Sequence, residues 1–119
     1  MAKPKKLSYY RKKADDLLQD KYRTEWPKCT LCKKKSVCVH HFFPKSASAA
    51  LRYQPENLVP VCKGCHLKFH SRNAAEAVGN LLIKRGVGWF IHLCWLKKQP
   101  VKTNKKYYEE IINNLEKPL

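Results

Sequence analysis

The alternation of apolar and polar residues predicts a chain built mainly from helices. In residues 7–23 apolar side chains recur at spacings of three, four and one with basic residues between them, which is typical of an amphipathic helix. Ser8 could cap the start of that helix. Further helical patterns cover residues 62–80, the strongly apolar run at 87–97, and the amphipathic end of the chain at 107–119. The apolar run is too short to span a bilayer, so it predicts a buried helix.

Two short segments interrupt this helical pattern. Residues 37–43, VCVHHFF, and residues 58–62, LVPVC, are rich in β-branched and aromatic side chains and predict two antiparallel strands. The loop between them, residues 44–57, is long enough to indicate a functional role. The sequence therefore predicts an α+β fold with one small sheet among helices.

The charge balance indicates a polyanionic partner. The chain has 25 Lys+Arg against 9 Asp+Glu, a net charge of +16 that extends over its whole length. Because neutralised phosphates release counterions, such a chain gains affinity for nucleic acid without reading its sequence. A merely soluble basic protein is the alternative. The basic start MAKPKKLSYY is followed by RKKADD instead of an apolar segment, so we expect a cytoplasmic protein with no membrane partner.

Four of the six cysteines form two Cys-x-x-Cys pairs. The pairs, CTLC and CKGC, consist of Cys29, Cys32, Cys62 and Cys65. This spacing brings both sulfurs of a pair to one ion, and four thiolates complete a tetrahedral site for a structural Zn²⁺. Such a site has no open position for substrate. Cys38 and Cys94 lack a paired partner, and we expect both to be buried thiols.

The histidines predict a second, chemically different site. His66 and His70 lie four residues apart, so on a helix they share one face and could bind one cation together. Neighbouring residues of a strand point to opposite faces, so His40 and His41 cannot easily share an ion. One of them could complete a three-histidine set, while the other stays free of metal and takes a proton from water.

Two further polar residues stand near this set in the sequence. Asn57 precedes the second strand, where its side chain could hydrogen-bond across the loop and fix the backbone that carries the base; an Asx-turn is the alternative. His92 lies inside the apolar run, and we expect a histidine that is satisfied within the core.

Together, residues 29–70 resemble the HNH, or ββα-metal, endonuclease family. The resemblance rests on C-x-x-C, then H-H-F-F-P, then N-L-V-P-V-C-K-G-C-H, then His70. It implies that His41 is the general base, with Asn57 beside it in the catalytic group. It also implies that His40, His66 and His70 hold one catalytic divalent cation (Zn, Ni, Mn, Co or Mg). Imidazole ligands favour the transition metals over Mg. The implied reaction is hydrolysis of a phosphodiester bond that leaves 5′-phosphate and 3′-hydroxyl ends.

A looser likeness extends over more of the chain. The KKADDLLQDKY helix, the FFPKSASAALRYQPENL loop, and the segments NLLIKRG and YYEEIINNL resemble the phage NinG/Rap recombination endonucleases. This likeness implies a phage-encoded protein that acts on recombination intermediates.

On this interpretation the chain divides into three parts: a basic N-terminal helix at 1–28, the zinc-braced nuclease core at 29–80, and a helical extension at 81–119. The candidate phosphate contacts are Lys45, Arg52, Lys63, Lys68 and Arg72. We expect DNA as the partner, with RNA left open, and a homodimer or a phage protein as further partners. Two alternatives remain: a non-catalytic zinc-braced nucleic-acid-binding module, and an accessory subunit of a phage packaging or recombination assembly.

Overall fold

The computed structural model describes residues 4–117 and places helices around a two-stranded sheet. In chain order the elements are α1 (Leu7–Glu25), β1 (Cys38–His41), a 3₁₀ turn (Pro55–Asn57), β2 (Leu58–Val61), α2 (Lys63–Phe69), α3 (Ala74–Arg85), α4 (Val87–Lys97) and α5 (Lys105–Glu116). The predicted α+β class is confirmed: a ββα core, formed by β1, β2 and α2, has helices on both sides of it in the sequence. Within residues 4–117, none of the helices is both long and apolar enough to cross a membrane.

The two strands pair antiparallel, as predicted, and a glutamine of α1 completes their outer edge. Val39 lies opposite Pro60, which has no N–H to donate. The N–H and C=O groups of Val39 point instead toward α1, where the Gln19 side chain bonds to both, at 3.0 and 2.9 Å. The missing N–H of Pro60 therefore costs no hydrogen bond between the two strands. Gln19 also links the free edge of β1 to α1.

The helix predicted over residues 62–80 is two helices. α2 ends at Phe69 and α3 begins at Ala74. Between them the Ser71 hydroxyl donates to the Lys68 carbonyl at 3.0 Å and accepts from the Asn73 N–H at 3.1 Å. These local bonds compete with helix continuation, which explains the break. Ser8 is not the cap of α1, because Lys6 occupies that position and makes no side-chain cap bond.

Two hydrophobic clusters hold these elements together. In the first, α1 packs on both α5 and β1, so the two ends of the described chain share one core. Its buried members include Leu18, Tyr22, Tyr108 and Ile112. The second lies between β2 and the helices that follow it, and it includes Cys29, Val59, Val61, Cys65 and Leu81. The sheet therefore separates a helical core from a core that surrounds the cysteines.

The expectation of a buried helix at 87–97 is wrong. Among the large apolar residues of α4, Leu93 is fully buried, whereas Val87, Ile91 and Trp95 are 65, 62 and 59% exposed. His92 is also exposed and stacks on Trp95, with ring centroids 6.2 Å apart, so it is not a core histidine. The reason is geometric: α4 packs on α3, on the 3₁₀ turn and on the residues after β1 through one face only, and a small domain has few elements to cover the other.

This one-sided packing predicts very different costs for two neighbouring substitutions. Leu93→Ala should lower the free energy of unfolding by about 2–5 kcal/mol, because it leaves a cavity in the core. Ile91→Ala should change it by about 0.5 kcal/mol or less, because that side chain already faces solvent. Urea unfolding at constant zinc and protein concentration measures both. Equal losses would mean that the outer face of α4 is covered in solution.

Candidate metal and catalytic site

The four paired cysteines converge in the structure. Their sulfur atoms all lie within 4.8 Å of one another, and those of Cys32 and Cys62 are 3.5 Å apart. Sulfurs bound about 2.3 Å from one tetrahedral zinc lie about 3.8 Å from each other, so the cluster could hold a zinc ion. One pair comes from the turn before β1 and the other from the start of α2, so a shared ion would join these two elements.

Local backbone geometry shapes both halves of this cluster. After the first pair, Lys33 takes a positive φ of 65°, which turns the chain so that its N–H donates to the Cys29 carbonyl at 3.0 Å. In the second pair, Cys62 caps α2 and its sulfur accepts from the Cys65 N–H at 3.4 Å. That bond lowers the pKa of Cys62, whereas burial raises the pKa of Cys65 to about 12. Binding of a cation must therefore release protons, which makes metal affinity depend on pH.

Three histidines converge beside α2. His40 of β1 meets His66 of α2 and His70, the residue that caps the end of that helix, with ring centroids 5.3 and 5.4 Å away. The Nε2 atoms of His66 and His70 are 3.3 Å apart, and one ligand nitrogen of each ring lies within 4.8 Å of the other two. Nitrogens bound about 2.05 Å from one tetrahedral ion lie about 3.3 Å apart. The three rings therefore fit a transition-metal cation with room for further ligands.

Packing orients two of these rings. Phe69 stacks on His40 with centroids 4.5 Å apart and an interplanar angle of 19°. The Cys38 sulfur lies 3.4 Å from Nδ1 of His66, which leaves Nε2 of that ring facing His70. Cys38 is half-buried, and its contact with His66 places it next to the histidine cluster. Burial lowers the pKa of His40 to about 4 and also lowers the pKa of His66, so both rings are neutral at pH 7, as metal ligands must be.

His41 lies on the opposite face of β1 from His40. Its Nε2 is 2.9 Å from the carbonyl oxygen of Arg52, which can only accept, so Nε2 donates. In the neutral ring Nδ1 then carries the lone pair. Burial lowers the pKa of His41, so this neutral form is the dominant one at pH 7. The ring is therefore fixed in a tautomer that can accept a proton through Nδ1.

Asn57 is fully buried and holds the end of β1 against the loop. Its side-chain oxygen accepts from the Phe43 N–H at 2.8 Å, and its amide donates to the carbonyls of Phe43 and Leu51 at 3.0 and 3.3 Å. The side chain thus bonds to the backbone of Phe43, two residues after His41, and of Leu51, the residue before the Arg52 whose carbonyl contacts His41. Since it has no exposed surface, it can position the base but cannot touch a substrate directly.

Arg52 differs from the other basic candidates. Its guanidinium donates to both carboxylate oxygens of Asp15 on α1, at 3.1 and 2.6 Å, and both side chains are mostly buried. Burial raises the pKa of Asp15, but the hydrogen bonds from Arg52, the neighbouring Tyr53 hydroxyl and the charge of Arg52 together outweigh it, so that pKa falls below its usual range. Lys45, Lys63, Lys68 and Arg72 are exposed. Asp15 could not be found from the sequence, because it lies 37 residues from Arg52 in a helix where it resembles any solvated acid.

Comparison with known proteins agrees with this geometry. Residues 29–72 match the model of the family described as HNH endonuclease. The curated proteins gave no match, and neither did the solved structures. The matched segment begins at the first cysteine pair and ends just after the last histidine of the cluster. The narrower likeness to phage recombination endonucleases stays a prediction.

Proposed function

We propose that the chain is a metal-dependent endonuclease that hydrolyses phosphodiester bonds of DNA, because residues 29–72 match the HNH endonuclease family model. The observation that carries the proposal is that the two adjacent histidines of β1 have different surroundings. His40 turns toward two histidines of α2, and His41 turns to the other face with its Nδ1 free to accept a proton. A binding module would not need such a pair.

We assign His40, His66 and His70 as the ligands of one catalytic cation. A divalent cation bound there supplies Lewis-acid stabilisation of the charge that develops on the phosphate and on the leaving 3′ oxygen. Three neutral imidazoles suit Zn, Ni, Co or Mn better than Mg. Cys29, Cys32, Cys62 and Cys65 would hold a separate structural Zn²⁺ that plays no part in the chemistry.

We assign His41 as the general base. Nδ1 takes a proton from the attacking water, and the imidazolium that forms is stabilised by the bond from Nε2–H to the Arg52 carbonyl. Asn57 positions the backbone that follows His41 and the loop backbone next to Arg52, which contacts this ring. The exposed Lys45, Lys63, Lys68 and Arg72 bind backbone phosphates by charge, which gives affinity without sequence specificity.

The proposal predicts that purified protein relaxes supercoiled plasmid only with an added divalent cation, and that His70→Ala lowers this activity at least about 100-fold. Removing a residue that only hydrogen-bonds to a metal ligand lowers metal affinity or activity about 10–100-fold. Removing a ligand itself should lower them at least as much. His70 is exposed at the end of α2, so its removal leaves the fold intact. His92→Ala is the matched control, because His92 is exposed and outside the cluster.

The His70→Ala variant is more informative than adding a chelator, because a chelator would also remove zinc from the four-cysteine cluster. Nicking by His92→Ala but not by His70→Ala, at equal zinc content, supports the catalytic role. If the parent never nicks with any of Mg, Mn, Co, Ni or Zn yet still shifts DNA in a gel, the protein is a zinc-braced binding module or requires a partner protein.

A further inference from the structure

We propose that a cavity between the matched nuclease segment and the two helices that flank it, α1 and α5, binds a second phosphate of the nucleic-acid backbone, next to the one that is hydrolysed. This inference rests on the proposed function and adds a subsite to it. The cavity has a volume of about 230 Å³ and lies between α1, the loop after β1, and the start of α5. Its lining includes Arg11, Lys45, Arg52, Tyr53 and Tyr108. We call it the α1–α5 cavity.

The charges around the α1–α5 cavity favour an anion. Three cationic side chains line it, and the one carboxylate in contact with them, Asp15, has both oxygens engaged by Arg52. The charges of Arg11 and Lys45 are therefore uncompensated within the described part of the chain. Arg11 is also held in place: its Nε donates to the Tyr108 hydroxyl at 3.2 Å, which leaves the N–H groups of its two Nη atoms to donate elsewhere.

A buried hydroxyl without a well-formed hydrogen bond supports the same conclusion. Tyr53 is 8% exposed, and its hydroxyl lies beside the Asp15 carboxylate but makes no hydrogen bond of good geometry with any described residue. A buried polar group without a good hydrogen bond is unfavourable, so such a group needs an explanation. Burial raises the pKa of Tyr53, so the hydroxyl keeps its proton and can donate. A phosphate oxygen in the cavity would accept that bond.

The α1–α5 cavity is directly linked to the proposed base. Arg52 lines it with its side chain, and the carbonyl of the same residue accepts the bond from His41. When the scissile phosphate of a DNA strand lies at His41, the neighbouring phosphate of that DNA strand would thus lie toward Arg11, Lys45 and Tyr53. The cavity depends on α1 and α5, which lie outside the matched segment, so these helices would contribute to substrate binding as well as to the core.

The test measures DNA binding, so it does not depend on catalysis. A fluorescent 20-base-pair duplex is titrated with the zinc-loaded full chain in a His41→Ala background, which keeps the DNA intact, at several salt concentrations. Arg11→Ala and Lys45→Ala should each weaken binding and each reduce the slope of log K against log salt by about 0.9, the value for one phosphate contact. Lys84→Ala is the matched control: Lys84 is an exposed lysine of α3 that does not line the cavity, and its removal should leave the slope unchanged.

Tyr53→Phe isolates the hydroxyl, because it keeps the ring in the core. We expect about tenfold weaker binding and no loss of thermal stability. Unchanged affinity in this variant, or equal slope changes for Arg11→Ala and Lys84→Ala, would overturn the proposal. A third outcome would also overturn it: the parent binds inorganic phosphate saturably, Arg11→Ala abolishes that binding, and the salt slope of DNA binding does not change. The cavity would then bind free phosphate and not the DNA backbone. If the cavity variants behave as expected and the parent never cuts DNA, the nuclease proposal fails and the phosphate site stands.

Discussion

Replacing His41 with Ala is expected to lower the rate of DNA cleavage by about 10²–10⁴-fold, the usual contribution of a general base. The structure supplies two reasons for an effect of this size. The bond from Nε2 to the Arg52 carbonyl fixes the ring and its tautomer, and burial lowers the pKa of His41, so the base is present in its active form at pH 7. Water alone is a poor substitute for a base held in this way.

The measurement is the rate of a single nicking turnover with saturating enzyme, beside zinc content, thermal unfolding and DNA affinity. These three properties should stay at the parent level, because His41 belongs to neither cluster of metal-binding side chains. His92→Ala again serves as the exposed control. A His41→Ala enzyme that cuts at the parent rate would remove the base assignment. One that unfolds would show that His41 is needed for the fold, and His41→Asn, which keeps a polar side chain, would then separate the two roles.

Much of the site follows from spacing along the sequence. Two Cys-x-x-Cys pairs, two histidines one helical turn apart, and two histidines on a strand each carry a geometric consequence within a few residues. The strand pair then brings the distant halves together, with His40 opposite Val59. For this reason the four-cysteine and three-histidine clusters could be predicted before the fold was known.

The parts that escaped prediction depend on long-range packing. α4 has the most apolar sequence in the chain, yet its outer face is exposed, because burial depends on which neighbours are available and not on the helix itself. The pairing of Arg52 with Asp15 and the burial of the Tyr53 hydroxyl beside that pair arise where α1 meets the loop, 37 or more residues away in sequence. No local pattern distinguishes these residues from ordinary surface charges or a core tyrosine.

The site therefore depends on two separate structural supports. On the His41 face of β1, α1 contacts the strand through Gln19 and the loop through Asp15. On the His40 face, the cysteine cluster joins the turn before β1 to the start of α2; this helix carries His66, and His70 follows its last residue. Each support positions one half of the proposed chemistry, so damage to one should affect a different step from damage to the other.

The second support leads to the largest expected effect on stability. Cys29→Ser should abolish tight zinc binding and destroy the cooperative fold of the core around the cysteines. Structural zinc contributes about 10–16 kcal/mol of apparent binding free energy in small zinc domains, whereas a whole domain is stable by only about 5–15 kcal/mol. Cys29 is almost fully buried in that core, so the loss of the ion cannot be offset by solvent.

Zinc content after dialysis, near-ultraviolet circular dichroism and thermal unfolding measure this effect. Cys94→Ser is the matched control, because Cys94 is a half-buried cysteine that belongs to neither cluster. This variant should bind one equivalent of structural zinc and unfold near the parent temperature. If Cys29→Ser retained both its zinc and its unfolding temperature, the four sulfurs would not be a structural site. If the variant lost only the function of the three-histidine cluster while the α1–α5 core stayed folded, the zinc would stabilise only the structure around it. The two supports would then fold independently.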